Sequence, residues 1–328
     1  MANQTDQNSH STKREVNWFW VLIQLQVNVS AIFSLVYLFK NGFTWSTLFF
    51  SILVVFLGWL GETAGSHRLW AHHTYEASKG LKIFLMLCQT AAGSGTIYGW
   101  VRWHRLHHKH FKTELDPFNP KRGFFYSHYT GWTRKLSPAQ EKVLEEIDFS
   151  DLENDKIVMF QKRWYYLLAF LFVFLLPTNA PIEYWGETMA VSIAAATLRY
   201  AIVLNLTLLI QSATIIWDLK AGEKYPMDSN WVFVLVKTYW LSYHYLASWD
   251  YQTSEYGKYG DDVVTKFIRA CAALELANNL KTIDSRTVRS ALTKSVAENK
   301  NISECLLELS EKDENVPKDH YLNPKKFY

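Results

Sequence analysis

The sequence predicts an all-α membrane protein, with four transmembrane helices in two hairpins and a cytosolic helical cap. Three observations predict it. Of 328 residues, 49% are apolar and 20% charged, which excludes a disordered or low-complexity chain. The aromatic fraction, 16%, is high and suits a chain anchored at bilayer interfaces, where tryptophan and tyrosine concentrate. Four uncharged runs approach the roughly 20 residues that one helical crossing demands.

The first run, Val16 to Phe39, spans 24 residues between Glu15 and Lys40; its Gln24, Gln26, Asn28 and Ser30 predict packing against other helices. The second, Thr44 to Gly61, is 18 residues around FFSILVVFL. Together they form a hairpin. Trp164 to Ile182 and Tyr200 to Trp217, 19 and 18 residues, form another, entered through Arg199. A fifth stretch, Ile83 to Val101, is also uncharged, but its second half is small and polar with three glycines, so it is expected to lie in the interface. With 15 polar residues before it and its length beyond that of a cleaved h-region, the first run is expected to be a crossing and not a signal peptide.

Four crossings place both termini and every histidine discussed below on one face. Lys13, Arg14, Lys162 and Arg163 flank the crossings there, against Lys40 alone in the first hairpin loop, so the positive-inside rule makes that face cytosolic. The chain closes Lys325-Lys326-Phe327-Tyr328, which resembles the dilysine address of endoplasmic-reticulum membrane proteins, read from the cytosol. The expected organisation is a cytosolic tail (1–15), transmembrane hairpin (16–61), cap segment (62–163), second hairpin (164–217), second cap segment (218–283), and a charged C-terminal helix and tail (284–328). Ser285 is the expected N-cap of that helix, and the tail after it is expected to be poorly ordered. Asn3, Asn28, Asn205 and Asn301 head glycosylation-like tripeptides, but this topology puts each in the membrane or the cytosol. A net charge of +3 without a basic stripe argues against nucleic acid, and three scattered cysteines, Cys88, Cys271 and Cys305, allow no disulfide framework or CxxC zinc site.

Chemistry concentrates in the histidines. His67 and His72 form an HxxxxH pattern; after 31 intervening residues, His104, His107 and His108 form HxxHH. On a helix, positions i, i+3 and i+4 share a face, so the second set can converge on one or two metal ions. Five residues correspond to about 140° around an α-helix, so His67 and His72 suit a helix end better than a regular face. An imidazole set accommodates iron, zinc or copper without naming the metal. His73, His110 and His128 are expected to be bystanders at the wet surface; His10 and His320 lie in tails.

The stretches GETAGSHRLWAHHTYEA, IYGWVRWHRLHHKHFKTELDPFNPKRGFFYSHYTGW, LRYAIVLNLTLLIQSA and WDYQTSEYG together resemble the membrane-bound acyl-CoA desaturases of the stearoyl-CoA desaturase type, from about residue 14 to about 283. The resemblance implies four transmembrane helices and a cytosolic cap with two irons held almost wholly by histidine. It also implies O2-dependent insertion of a cis double bond into a fatty acyl-CoA, with electrons from a b-type cytochrome. It carries the ligand role to His67, His72, His104, His107 and His108. The family's third box, pinned in register by Trp249-Asp250-Tyr251, falls on Leu241, His244 and Tyr245, so only His244 keeps a ligand there. The NSxAH element at the end of the last crossing falls on Gln211 to Ile215, with Gln211 for the asparagine and Ile215 for the histidine. Trp103 replaces an acid before the second box, and Phe118 a histidine of a DPHN-like element. The resemblance places Arg102, Arg105, Arg134 and Lys135 near the CoA head, as phosphate partners, and Trp100 and Tyr98 near the acyl tunnel.

Six histidines remain of nine expected, so one ion or partial iron occupancy is implied. The expected function is a desaturase-like protein that binds long-chain acyl-CoA with weak or lost activity. The alternatives are an active desaturase with an unusual ligand set, a regulatory or scaffold protein pairing with an active desaturase, and, more remotely, a histidine-box hydroxylase.

Overall fold

The computed structural model describes residues 14–216, 243–252 and 262–310, which divide into two compact units. One comprises residues 1–70 and 82–210, the other 71–81 and 211–328.

The first unit contains α1 (Trp18–Asn41), α2 (Trp45–Ala71), α3 (Lys79–Ala92, from residue 82), α4 (Ile97–Lys109), the short α5 (Pro138–Glu145) and α6 (Ser150–Asn154), α7 (Lys156–Trp185) and α8 (Met189–Ile216, to residue 210). Helices α1, α2, α7 and α8 are the four among the described residues that are long and apolar enough to cross a membrane. Their apolarity is not explained by burial. In α1 and α7 only 22% and 17% of the most apolar window is inside the protein, and Phe33, Phe39, Phe49 and Phe170 lie exposed. Such surface is stable in lipid and not in water.

Small residues set the helix spacing. Ala31 and Val27 of α1 pack on Ala201 and Leu204 of α8, and Leu38 packs on Val191, Ala194 and Ala195. A Cβ on Gly61 would lie 2.1 Å from the Gln89 backbone nitrogen, so only glycine permits this approach of α2 to α3. At the other end of the hairpins, the Glu187 carboxylate accepts from the Thr44 N–H and hydroxyl (3.0 and 2.9 Å) and from Thr47 Oγ1 (2.5 Å), joining the two loops. Of the polar residues of α1 expected to pack against other helices, Asn28 accepts from Asn205 Nδ2 at 3.1 Å, while Gln26 is exposed; Tyr129 donates to the same Asn205 through Oδ1 at 2.7 Å.

The uncharged stretch 83–101 is two helices and not one. Gly93 and Gly95 have φ of 71° and 101°, and Thr96 then caps α4 by accepting from the Gly99 N–H. The boundary expected at 61/62 is a change of winding and not a helix end, because α2 continues as a π-helix from Gly61 to Ala71. Arg14, expected as a flanking charge, is a buried strut. Its guanidinium donates to the carbonyls of Pro117, Gly131, Arg134 and Lys135 at 2.7–2.9 Å and ties the N-terminal segment to that loop.

In the second unit β1 (Glu76–Ala77) pairs antiparallel with β2 (Ala277–Asn278). It also holds α9 (Tyr243–Leu246), α10 (Val263–Ala273), α11 (Ser285–Glu298) and α12 (Ile302–Ser310). Ala247, Trp249, Ile283, Val288, Ala291, Cys305 and Leu306 form its core, so α11 is half core and not only a surface helix. Its N-cap is Asp284, whose carboxylate accepts from the Arg286 N–H, one residue before the expected Ser285. All three cysteines are free and buried, and burial pushes the Cys88 thiol up to about 12. Lys325 and Lys326 lie outside the described residues.

Candidate metal centre

In the first unit the π-wound end of α2 carries His67, and α4 carries His104, His107 and His108. The His67 and His104 rings stand edge-on with centroids 4.7 Å apart; His104 and His108, one helical turn apart, are at 4.6 Å. One ring nitrogen from each of His67, His104 and His108 lies within 4.8 Å of the others. All three are buried. Neutral imidazoles brought this close in the interior form a ready set of nitrogen donors.

His107 stands apart from that group, its centroid 6.0 Å from His104 and 5.5 Å from His108. Its Nδ1 lies 2.6 Å from Asp116 Oδ1, and both side chains are fully buried. Asp116 is itself held by the Phe118 N–H at 2.8 Å and the Lys112 N–H at 3.3 Å. A carboxylate hydrogen-bonded to one ring nitrogen fixes the ring and leaves Nε2 as the atom that could meet a metal, the arrangement that supports histidine ligands elsewhere. Asp116 was missed in the sequence reading. The available signal was an acid nine residues beyond His107 at the head of a turn rich in proline and asparagine.

In the second unit His72 follows directly on the π segment, and its ring lies 4.7 Å from that of His244 on α9. Both are buried, with donor nitrogens within 4.8 Å. His72 thus sits at a helix end, as the five-residue spacing suited, and the helix before it is π-wound from Gly61 to Ala71. Tyr245 lies beside His244 with ring centroids 5.4 Å apart. Gln211 is buried in α8, and Ile215, four residues on, is partly buried and has no atom able to bind metal. Leu241 lies outside the described residues.

At the two departures beside the second box, aromatic rings occupy the space. Trp103 stacks on Trp132 with planes 4° apart and the Arg14 guanidinium over its face, while Phe118, fully buried, meets both Trp132 and the edge of His107. Gly131 makes the room, since a Cβ there would come within 2.8 Å of Phe118.

The expected substrate residues are dispersed in role. Arg105 is buried and held by Asp151 (2.6 and 2.8 Å) and by the carbonyls of Trp70 and Asp148, so its charge is already neutralised and it locks α4 to α6. Trp100 stacks on His104 at 4.7 Å with planes 19° apart, which makes it a wall of the histidine group. Tyr98 donates to Glu153 and lies under Arg102. Arg102 also covers Phe149, Arg134 donates to the Arg14 carbonyl, and Lys135 pairs with Glu15 at the surface. His128, expected at the wet surface, is buried; it stacks on Phe124 and faces Asn205, and burial lowers its pKa.

No family model matches the chain. Individual proteins do. It is 39% identical over 277 residues to an acyl-CoA Delta-9 desaturase of Acheta domesticus, covering 83% of this chain and 76% of that one. It is 36% identical over 289 residues to the stearoyl-CoA desaturase of Homo sapiens, covering 86% and 79%. It is also 36% identical to an acyl-CoA Delta(11) desaturase of Spodoptera littoralis, covering 84% and 82%.

Proposed function

The chain belongs to the acyl-CoA desaturase family, and on that premise we propose that it binds long-chain acyl-CoA at a metal centre too depleted for full desaturase activity. The observation that carries this is the uneven donor set. His67, His104 and His108 converge, and His107 has its carboxylate support, which fits an imidazole-bound metal such as iron. At the positions where the family resemblance expects further histidines, the sequence holds Ile215, Leu241 and Tyr245. When bound, iron would supply the O2-dependent oxidising power that removal of hydrogen from an alkyl chain requires. His67, His72, His104, His107, His108 and His244 are the residues that would hold it.

The chain's own residues divide the remaining work. Arg102, Arg134 and Lys135 are the cations that would meet the CoA phosphates; Arg105, neutralised by Asp151, fixes the helix that carries the second histidine box. Trp100 and Phe118 keep water from the imidazoles. The bias of cations around the crossings supports an endoplasmic-reticulum membrane protein with both termini cytosolic, served by a b-type cytochrome as electron donor where activity persists. A second reading, an active desaturase with an unusual ligand set, is favoured by the intact His107–Asp116 pair.

The test is binding. Stearoyl- or palmitoyl-CoA should protect the purified protein from heat and displace a labelled analogue, and reversing the charge at Arg134 and Lys135 should weaken this about tenfold, the scale of one charge-assisted contact. Absence of both effects in the unaltered protein refutes the proposal.

A further inference from the structure

Two polar atoms beside the histidines have no assigned work. Glu62 and Ser66 lie in the π-wound end of α2, are fully buried, and leave Glu62 Oε1 and Ser66 Oγ without a hydrogen-bond partner among the described residues. Their surroundings are otherwise satisfied. Glu62 Oε2 accepts from Ser94 Oγ at 2.8 Å; Gln89 donates to Ser94 and to the Gly95 carbonyl; Gln161 donates to Gln89 and Thr90 and accepts from the Ile97 N–H. A buried group left unpaired amid such a network costs about 1–3 kcal/mol, more when charged, and calls for an explanation.

Position supplies one. In π winding, residues four and five apart fall near one side, so Glu62, Ser66 and His67 share a face. Glu62 precedes His67 by five residues in the direction of the membrane, about 7 Å at helical rise. Glu62 is not among the described residues whose donor atoms converge for a metal. An acyl chain with its reacting carbons at the histidines and its tail directed towards the spans would pass this point. A plain alkyl tail leaves both atoms unpaired. A hydroxyl within reach of the two would pair both, donating to the carboxyl oxygen and accepting from the serine.

We propose that Glu62 and Ser66 are specificity-determining residues that select an acyl-CoA carrying a hydroxyl on its chain a few carbons beyond the position held at the histidines. The inference rests on the acyl-CoA reading above. A site built to hydrogen-bond a hydroxyl discriminates strongly against the analogue lacking it.

Displacement of labelled stearoyl-CoA from the purified full-length protein, by stearoyl-CoA and by a positional series of hydroxystearoyl-CoAs, tests it. One isomer should bind about tenfold or more tightly than stearoyl-CoA, as a hydrogen bond to a charged group implies. Glu62→Ile should abolish the preference, and Glu62→Gln should retain part of it. Should Glu62→Ile not fold, Ser66→Ala, a small change, should reduce the preference. Equal affinity for every chain in the unaltered protein means that the two atoms hold only water, and overturns the inference while acyl-CoA binding stands; so does a preference untouched by Glu62→Gln and Ser66→Ala. If no acyl-CoA displaces the label, the acyl-CoA reading falls and takes the inference with it.

Discussion

The histidines of the two units differ in how much surrounds them. In the first unit His67, His104 and His108 present converging nitrogens, and His107 rests on a carboxylate that is itself held by two backbone N–H groups. In the second, His72 and His244 face each other, with Tyr245 beside His244 and an isoleucine on α8 where the family resemblance expects a nitrogen donor. The first set keeps both donors and supports. The contrast teaches that metal affinity and two-metal chemistry can separate: a supported group of imidazoles can hold an ion, whereas a coupled pair of ions needs enough donors for each.

The sharpest way to break this comparison is to delete one donor from each side. His104→Ala should abolish measurable metal in the purified protein, whereas His244→Ala should lower content only in part, both read by elemental analysis. Equal losses would show that the two groups contribute alike. Asp116→Ala should act through His107, weakening metal binding about 10- to 100-fold by loss of ring orientation while leaving the fold intact, and Asp116→Glu should recover part of it. A metal titration on each variant provides the check.

The smallest effect concerns acid stability in the first unit. Burial raises the Asp155 carboxyl, but Lys82 at 2.8 Å, the Ile157 N–H and the Trp70 indole outweigh it and leave the pKa below its ordinary value. A depressed carboxylate stabilises the fold above its unfolded pKa of about 3.9, and the stabilisation is lost as pH falls through the lower folded value. Lys82→Met should therefore reduce thermal stability at neutral pH and flatten its decline in acid; an unchanged acid limb would contradict the assignment.

The four crossings were legible because each is an uncharged run of bilayer length, and the histidine boxes because their spacing is local. The π winding was not. Nothing in GETAGSHRLWA announces a π-wound segment, for which α-helical geometry is the default expectation. Asp116 and the buried Arg105 were likewise hidden, since what fixes each is a partner distant in sequence or the burial around it: Arg105 pairs with Asp151, 46 residues on. Trp103 and Phe118 read as losses from the sequence, while the packing makes them one aromatic block with Trp132 and Arg14.

The most direct test of the central claim is iron per chain in the detergent-purified protein, measured beside desaturation in a yeast strain lacking its own enzyme. Clearly fewer than two irons and little desaturation are expected, with iron content rising when Gln211→Asn, Ile215→His, Leu241→His and Tyr245→His are introduced together. Two tightly bound irons, with turnover that disappears on His244→Ala, would contradict it and establish an active enzyme with a different ligand set.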